Sequence, residues 1–191
     1  MIISIGGNQG SGKSTLAKRL ADALAWPRYY MGGMRREAAT KKGLTLAQYN
    51  KLGESDPQTD LEVDEYQKKL GETTDNFVIE GRTSWHFIPQ SLKFYLDVSD
   101  EEGAKRIFDA GRSGEDKNMN TLEDVLNSVR LRKISDRKRY LQFFGIDTYD
   151  LNNYDHVIDT THLTPDEVFD KVYLLIKETL NKESAIDKPH I

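Results

Sequence analysis

The chain has 191 residues, of which 37% are hydrophobic and 30% are charged, and it contains no cysteine. This length and composition fit one globular unit and exclude a disulfide framework, a thiolate metal site and a catalytic thiol. The formal net charge of -4 gives no general attraction to nucleic acid polymers or anionic lipid, and no apolar stretch has the length of a signal peptide or a membrane span. We therefore expect a cytoplasmic protein, a monomer, that binds no nucleic acid polymer and no membrane.

The first elements in chain order are a strand, a glycine-rich loop and a helix. The β-branched run from Ile2 to Ile5 stops at the glycines, after which Leu16, Leu20 and Leu24 recur at helical spacing. A second short strand is predicted over residues 28–31, between Pro27 and a pair of glycines. These elements complete a β-α-β unit, which favours a parallel sheet.

The rest of the chain alternates between predicted helices and strands. Residues 34–70 read as helices without a strand, and Thr45 with Gln48 suggests a capping box within them. Polar residues and glycines at 111–120 interrupt a helical stretch and predict a mobile loop. Three more strands are predicted at 77–79, 94–98 and 156–158, and further helices begin near 99, 122 and 164. One domain is expected over 1–180, with a flexible polar tail over 181–191.

The loop after the first strand matches the pattern G-x-x-x-x-G-K-[ST], in the strand-to-helix setting that a phosphate-binding loop requires. Its glycines let backbone N–H groups surround an anion, and the positive end of the helix dipole points at the same phosphates. Lys13 is expected to reach the β and γ phosphates of a nucleoside triphosphate, and the Ser14 hydroxyl to ligate Mg²⁺. Two alternatives stay open: a glycine turn that only closes the connection, and nucleotide binding without turnover. The expected nucleotide-binding residues are Gly7, Asn8, Gln9, Gly10, Ser11, Gly12, Lys13, Ser14 and Thr15.

Two arginines follow predicted strand ends, where ligands of open parallel sheets bind. Arg82 ends the run VIEGR, and Arg36 follows the glycine pair after the second strand. A guanidinium holds a phosphate through two parallel hydrogen bonds, so both arginines are candidates for binding the phosphate of an acceptor. A surface ion pair is the alternative for each of them.

A second cluster of cations lies in the segment RKISDRKR. Arg132, Asp136 and Arg139 share one face of a predicted helix, which suits an anion, although a solvated helix with ion pairs is the alternative. Asp136 could orient the arginines or accept a ribose hydroxyl. Arg106 and Arg112 flank the start of the predicted mobile loop, and they could close over the donor nucleotide.

Taken together, these motifs resemble the cytidylate kinases, and most closely their short archaeal-type branch. The resemblance runs through GNQGSGKST, MGGMRRE, LTLAQYNKLGESDPQTDLEVDEYQKKL, VIEGR, DRKRYLQFFGID and YDHVIDTT. It implies a P-loop NTPase three-layer α/β fold with a five-stranded parallel sheet. It also implies a helical insertion over 34–70 that closes over a nucleoside monophosphate, and a short lid within 108–140.

The resemblance further implies phosphoryl transfer from ATP, with Mg²⁺, to CMP or dCMP. Another nucleoside monophosphate or a small phosphorylated metabolite stays possible as the acceptor, because the P-loop does not select it, and so does a non-catalytic ATP-binding module. Lys13, Arg132, Arg139 and Arg106 are expected at the transferring group, and Arg112 at ATP. The residues that match acceptor-binding positions of the family are Arg36, Arg82, Asp136 and Arg139.

Overall fold

Five strands and eight α-helices make up the part of the chain that the structure, a computed structural model, describes, which is residues 1–111 and 120–186. The strands are β1 (Ile2–Gly7), β2 (Arg28–Tyr30), β3 (Phe77–Glu80), β4 (Leu92–Asp97) and β5 (His156–Asp159). The helices are α1 (Lys13–Leu24), α2 (Met31–Lys41), α3 (Leu46–Gly53), α4 (Gln58–Thr73), α5 (Ser84–Phe87), α6 (Asp100–Asp109), α7 (Leu122–Phe144) and α8 (Pro165–Ile186).

All five strands belong to one parallel sheet with the order β2-β3-β1-β4-β5. The register pairs Ile5 of β1 and Tyr30 of β2 with Glu80 of β3. Gly7 at the end of β1 pairs with Leu96 of β4. The carboxyl ends of the strands therefore meet at one edge, and the glycine-rich loop and the residues after β3 open on that edge. The predicted parallel sheet and its five strands are confirmed.

Helices cover both faces of this sheet. Alternate residues of β1 point to opposite faces, so Ile3 and Ile5 pack with Leu20 of α1 and Ile176 of α8. Ile2, from the same strand, packs in a separate cluster with Met31 of α2, Leu70 of α4 and Phe77 of β3. The molecule therefore has the predicted three layers, with apolar side chains filling the space on each side of the sheet.

Residues 31–73 form α2, α3 and α4 without an intervening strand, as the sequence predicts. Thr45 and Gln48 make the predicted capping box at the start of α3, with each side chain hydrogen-bonded to the backbone of the other residue. α4 packs against α2, α3 and α5. α2, α3 and α4 therefore pack as one unit next to the carboxyl ends of β2 and β3.

α6 and α7 pack together, and α7 also contacts α3. The predicted mobile loop falls almost entirely on residues 112–119, which lie outside the described residues, and so does Arg112. The prediction of a tail from residue 181 needs correction, because α8 continues to Ile186. Residues 181–186 contain neither glycine nor proline, so nothing in them breaks the helix. Within the described ranges, none of the helices combines the length and the apolar character that a bilayer span requires.

Candidate active site

A cavity of about 1320 Å³ lies at the carboxyl edge of the sheet, between the glycine-rich loop and the surrounding helices. Its wall includes residues of the loop and α1, of α2 to α4, of the segment after β3, and of α6 and α7. A single small ligand usually occupies roughly 300–1,000 Å³. The cavity is therefore large enough to hold two ligands side by side.

The loop between β1 and α1 has the backbone that a phosphate cradle needs. Gly10 and Gly12 have φ angles of 75° and 87°, which residues with a Cβ rarely adopt. A Cβ at Gly10 would lie 2.2 Å from the carbonyl oxygen of Gly103, whereas a Cβ at Gly12 would meet nothing within 4 Å. Gly12 is also the N-cap of α1. The loop is therefore held closely against α6 on one side and open at the helix start on the other.

Asn8 fastens this loop to β4. Its Nδ2 donates to Asp97 Oδ1 at 2.6 Å and to the carbonyl oxygen of Val98 at 3.1 Å. Its Oδ1 accepts a hydrogen bond of 2.6 Å from the hydroxyl of Tyr95. The side chain of Asn8 is thus used for anchoring, and only its backbone is left to contact a phosphate.

Lys13 lies inside the cavity wall with its ammonium group folded back over the loop. Nζ donates to the carbonyl oxygens of Gly7, at 2.9 Å, and Asn8, and to Ser11 Oγ at 3.4 Å. Burial, reinforced by the positive charge of Arg82, lowers the pKa of Lys13 to about 7. An anion placed here would favour the charged ammonium and relieve this electrostatic cost.

Ser14 and Glu80 bring a hydroxyl and a carboxylate together at the start of α1. Ser14 Oγ donates to Glu80 Oε2 at 2.6 Å, and Arg28 Nε donates to Glu80 Oε1 at 2.8 Å. Oxygen donors are the ligands that Mg²⁺ prefers, usually with water and phosphate oxygens completing the shell. In the described part of the chain, no three His, Cys, Asp or Glu side chains come together to hold a metal alone. The residues therefore fit a Mg²⁺ ion that is bound jointly by Ser14 and nucleotide phosphates.

Four of the predicted arginines line the cavity: Arg36, Arg82, Arg106 and Arg132. Arg82 Nε forms an ion pair of 2.9 Å with Asp136 Oδ2, while Arg36 donates to the hydroxyl of Tyr30. Burial, followed by the charge of Arg82, lowers the pKa of Arg132 to about 10. Cations crowded together in this way make the wall beside Lys13 attractive to phosphate.

Asp136 and Arg139 take positions that differ from the prediction. Both are fully buried, and neither is part of the cavity wall. Arg139 forms ion pairs with Asp136 Oδ1 at 2.9 Å and with Asp60 Oδ2 at 2.8 Å. Burial alone would raise the pKa of Asp136, but Arg82, Arg139 and Arg132 together lower it. In this structure Asp136 and Arg139 therefore position Arg82 from the side away from the cavity. Buried charges need partners of opposite charge, and α7 alone does not supply all of them.

Arg106, predicted to lie at the transferring group, is held by contacts within the protein. It lines the cavity, but its guanidinium donates to Glu102 Oε1 at 2.9 Å and to the carbonyl oxygens of Thr160, at 2.7 Å, and Thr161. These contacts tie α6 to the connection between β5 and α8. The i, i+4 spacing of Glu102 and Arg106 favours this arrangement, and it leaves the side chain committed to structural partners.

Several residues of the site are missed by the sequence analysis. Arg28 binds Glu80, and Arg35 is bound by Asn50, at 2.9 Å, and by Asp60. Arg35 directly precedes Arg36 and is the same residue type, so the sequence pattern does not distinguish the role of one from that of the other. Arg28 opens a strand, and only the pairing of β2 with β3 places it beside Glu80.

The fold and the site define a P-loop phosphotransferase, with a triphosphate cradle on β1 and α1 and an arginine-lined wall opposite. Solved structures with the same fold include an uncharacterized protein from Eubacterium ventriosum, with a TM-score of 0.69 and 19% identity over 93% of this chain and 98% of that one. Another is the shikimate kinase of Aquifex aeolicus, with a TM-score of 0.59 and 20% identity over 94% of this chain and 98% of that one. At these identities the likeness concerns the fold alone.

The chain belongs to the cytidylate kinase-like family, whose model matches residues 2–162. It is 36% identical over 170 residues to a cytidylate kinase of Pyrococcus furiosus, covering 88% of this chain and 84% of that protein. A cytidylate kinase of Methanopyrus kandleri is 33% identical over 195 residues, covering 96% of both chains. An S-adenosylmethionine-dependent nucleotide dehydratase of Lacinutrix mariniflava is 35% identical over 187 residues, which are 97% of this chain and 37% of that protein.

Family membership makes this chain an ATP-dependent kinase of the nucleoside monophosphate kinase class. The predicted family and enzyme class are confirmed, and the alternative of a non-catalytic ATP-binding module is set aside.

Proposed function

We propose that this kinase transfers the γ-phosphoryl group of ATP to CMP or dCMP, giving ADP and the corresponding diphosphate. The observation that carries the proposal is the placement of Arg36, Arg82 and Arg132 on the wall of the same cavity as Lys13. We choose cytosine as the base of the acceptor because the relatives at 33–36% identity are cytidylate kinases. Within residues 34–70 we assign the cavity-lining side chains to acceptor binding, and within residues 108–140 we assign them to the lid.

The donor triphosphate lies along the glycine-rich loop. Backbone N–H groups of the loop and the N-terminus of α1 hold its phosphates, and Lys13 turns from the loop carbonyls to the β and γ phosphates. The Ser14 hydroxyl, together with phosphate oxygens, would hold Mg²⁺, which would neutralise further phosphate charge. Glu80 accepts from Ser14 in the structure, so it is placed to orient this hydroxyl or water molecules close to it.

The acceptor phosphate lies on the arginine side of the cavity, gripped by Arg36 and Arg82. One of its oxygens attacks the γ-phosphorus of ATP, a new P–O bond forms, and the bond from the γ-phosphorus to the β,γ-bridging oxygen breaks as ADP leaves. A phosphate oxyanion needs no strong base for this attack, so positioning and charge neutralisation carry the catalysis. Arg132, which lines the same cavity and interacts electrostatically with Lys13 and Arg82, meets the charge that develops on the transferring group.

A second candidate acceptor is another nucleoside monophosphate or a small phosphorylated metabolite, because the cradle at Lys13 recognises only the donor. Dehydration of a nucleotide is not proposed. The relative named for that reaction has almost two thirds of its length outside the match, since the match covers 37% of it.

The test is an assay of ADP release with CMP, dCMP, UMP, AMP and GMP as acceptors. We expect CMP or dCMP to give the highest kcat/KM. Replacing Arg82 or Arg36 by Ala should lower kcat/KM for CMP by on the order of 100-fold, while the KM for ATP changes little.

The matched control is Arg130→Ala, because Arg130 is an exposed arginine of α7 that pairs with Glu101 outside the cavity. It should keep the wild-type constants. If no monophosphate gives ADP release, the proposed function is refuted. If the Arg36, Arg82 and Arg130 variants have equal kcat/KM for CMP, the roles assigned to Arg36 and Arg82 are wrong.

A further inference from the structure

Tyr30 brings a phenol group to the cavity wall, and the transfer reaction described above gives this group no role. Tyr30 is the last residue of β2, directly precedes α2 and lines the cavity. It pairs with Glu80 at the carboxyl edge of the sheet. Its hydroxyl accepts a hydrogen bond from Nη1 of Arg36, the arginine to which we assign the acceptor phosphate. The phenol therefore contacts a side chain of the acceptor site.

The glycine pair at the start of α2 determines where the ring of Tyr30 lies. A Cβ at Gly32 would lie 2.8 Å from Cε2 of the ring, and a Cβ at Gly33 would lie 2.7 Å from Cδ1. Both distances are too short for two carbon atoms, so a larger residue at either position would displace the ring. Glycine also weakens a helix relative to alanine. The pair is therefore explained by the ring, which packs on the first turn of α2 with its hydroxyl next to Arg36 of the same helix.

The ring of Tyr30 lies close to two guanidinium groups. The central guanidinium carbons of Arg28 and Arg36 are each 5.5 Å from the centroid of the ring. A cation at this distance over a ring is attracted to its face. Arg28 is itself fixed by its ion pair with Glu80, whose other carboxylate oxygen accepts from Ser14 at the start of α1. The ring is therefore packed between fixed elements of the site and the flexible side chain of Arg36.

Arg36 gains from being held before a ligand arrives. A long side chain loses much rotational freedom when it is fixed, and a ligand that has to order it gives up part of its binding free energy. The hydrogen bond to Tyr30 uses Nη1. A guanidinium has several N–H donors, so one arginine can bind a phenol and a phosphate at the same time.

We propose that Tyr30 is a positioning residue that holds Arg36 in place for the acceptor phosphate. The inference rests on the proposed function and adds a residue that acts through Arg36 and not on the substrate. The hydroxyl of Tyr30 fixes the direction of the guanidinium, and the ring holds the cation against its face. The acceptor then meets an arginine whose position is already set.

The test compares the wild type, Tyr30→Phe, Arg36→Ala and the double variant. Phe keeps the ring and removes only the hydroxyl. We expect Tyr30→Phe to lower kcat/KM for CMP by on the order of 10-fold, mainly through a higher KM for CMP, because a hydrogen bond to a charged group is lost. In the Arg36→Ala background the same change should cost nothing further, since the side chain that Tyr30 positions is absent. The KM for ATP should stay the same throughout, which also shows that each variant folds.

The matched control is Tyr29→Phe, which removes a phenol hydroxyl from the neighbouring position of β2. Successive residues of a strand point to opposite faces. Tyr29 packs against Tyr66 and Phe77 and is not part of the cavity wall, so its variant should keep the wild-type constants. Tyr30→Leu removes the ring as well as the hydroxyl. It should cost more than Tyr30→Phe in the wild-type background and nothing in Arg36→Ala, and it decides the question should Tyr30→Phe fail to fold.

The outcomes separate the inference from the proposed function. A merely structural role of Tyr30 predicts the same loss with and without Arg36. That result, or wild-type constants in Tyr30→Phe, overturns the inference and leaves the kinase activity standing. If the wild-type protein phosphorylates no monophosphate, the proposed function is refuted. The same four proteins then decide the inference through the Kd of inorganic phosphate with ADP bound, measured by calorimetry: an Arg36-dependent rise in Tyr30→Phe supports it, and any other result overturns it.

Discussion

Replacing Asp64, a buried residue of α4, by Asn should change the stability of the fold in a pH-dependent way that favours the variant as the pH rises. Burial, reinforced by the nearby charge of Asp60, raises the pKa of Asp64 from 3.8 to about 7, while Arg35 and Arg139 oppose the rise. Between these two values the folded protein holds a proton that the unfolded chain releases. Stability is therefore lost as the pH rises through this window, and it is fully present below pH 3.8.

The magnitude follows from the pKa shift, since one pKa unit corresponds to about 1.36 kcal/mol. Near pH 8 the charged carboxyl of Asp64 costs about 4 kcal/mol of unfolding free energy, and near pH 5 it costs under about 2 kcal/mol. Asn at this position cannot ionise, so it removes the pH-dependent part of the cost. Its unpaired N–H group adds a penalty of about 1–3 kcal/mol that does not change with pH.

The assay is urea or thermal unfolding of both proteins near pH 5 and near pH 8. The stability of the variant relative to the wild type should increase by about 2.5 kcal/mol between the two pH values, or about 5–10 °C in Tm for a chain of this size. Asp170→Asn, on an exposed position of α8, is the control and should show no such change. A difference between variant and wild type that is the same at both pH values would refute the reasoning about Asp64.

Three further predictions concern the phosphate cradle, the buried ion pairs and the core. The lowered pKa of Lys13, about 7, predicts that ATP binding near pH 8 takes up close to one proton; calorimetry in two buffers should detect it, and Lys13→Met should abolish it. Asp136→Asn leaves Arg82 without its buried counter-ion and leaves Arg139 with Asp60 alone, so we expect a loss of about 3–5 kcal/mol of unfolding free energy in urea titrations; a loss under about 1 kcal/mol would contradict the network. Ile176→Ala should cost about 2–5 kcal/mol and leave kcat unchanged, because its side chain is fully buried between α8 and the sheet and is not part of the cavity wall.

Much of the fold follows from local patterns. The run Ile2–Ile5 predicts β1 because β-branched residues favour strands, and Thr45 with Gln48 predicts the start of α3 because each side chain satisfies the backbone of the other. The end of the chain shows the limit of such patterns. A polar composition predicts a tail from residue 181, yet α8 continues to Ile186, since a helix ends only where its backbone is interrupted or frays.

The phosphate cradle is determined by the sequence itself, because eight neighbouring residues supply the glycines, the lysine and the helix start that an anion needs. The state of the charged side chains around it is decided by the tertiary structure. Ser14 meets Glu80 across 66 residues, and Asp136 and Arg139, which share a helix face, turn into the protein because Asp60 and Arg82 lie there. Which partners reach a buried charge depends on the elements packed against it, and residue spacing along one helix carries no information on those elements.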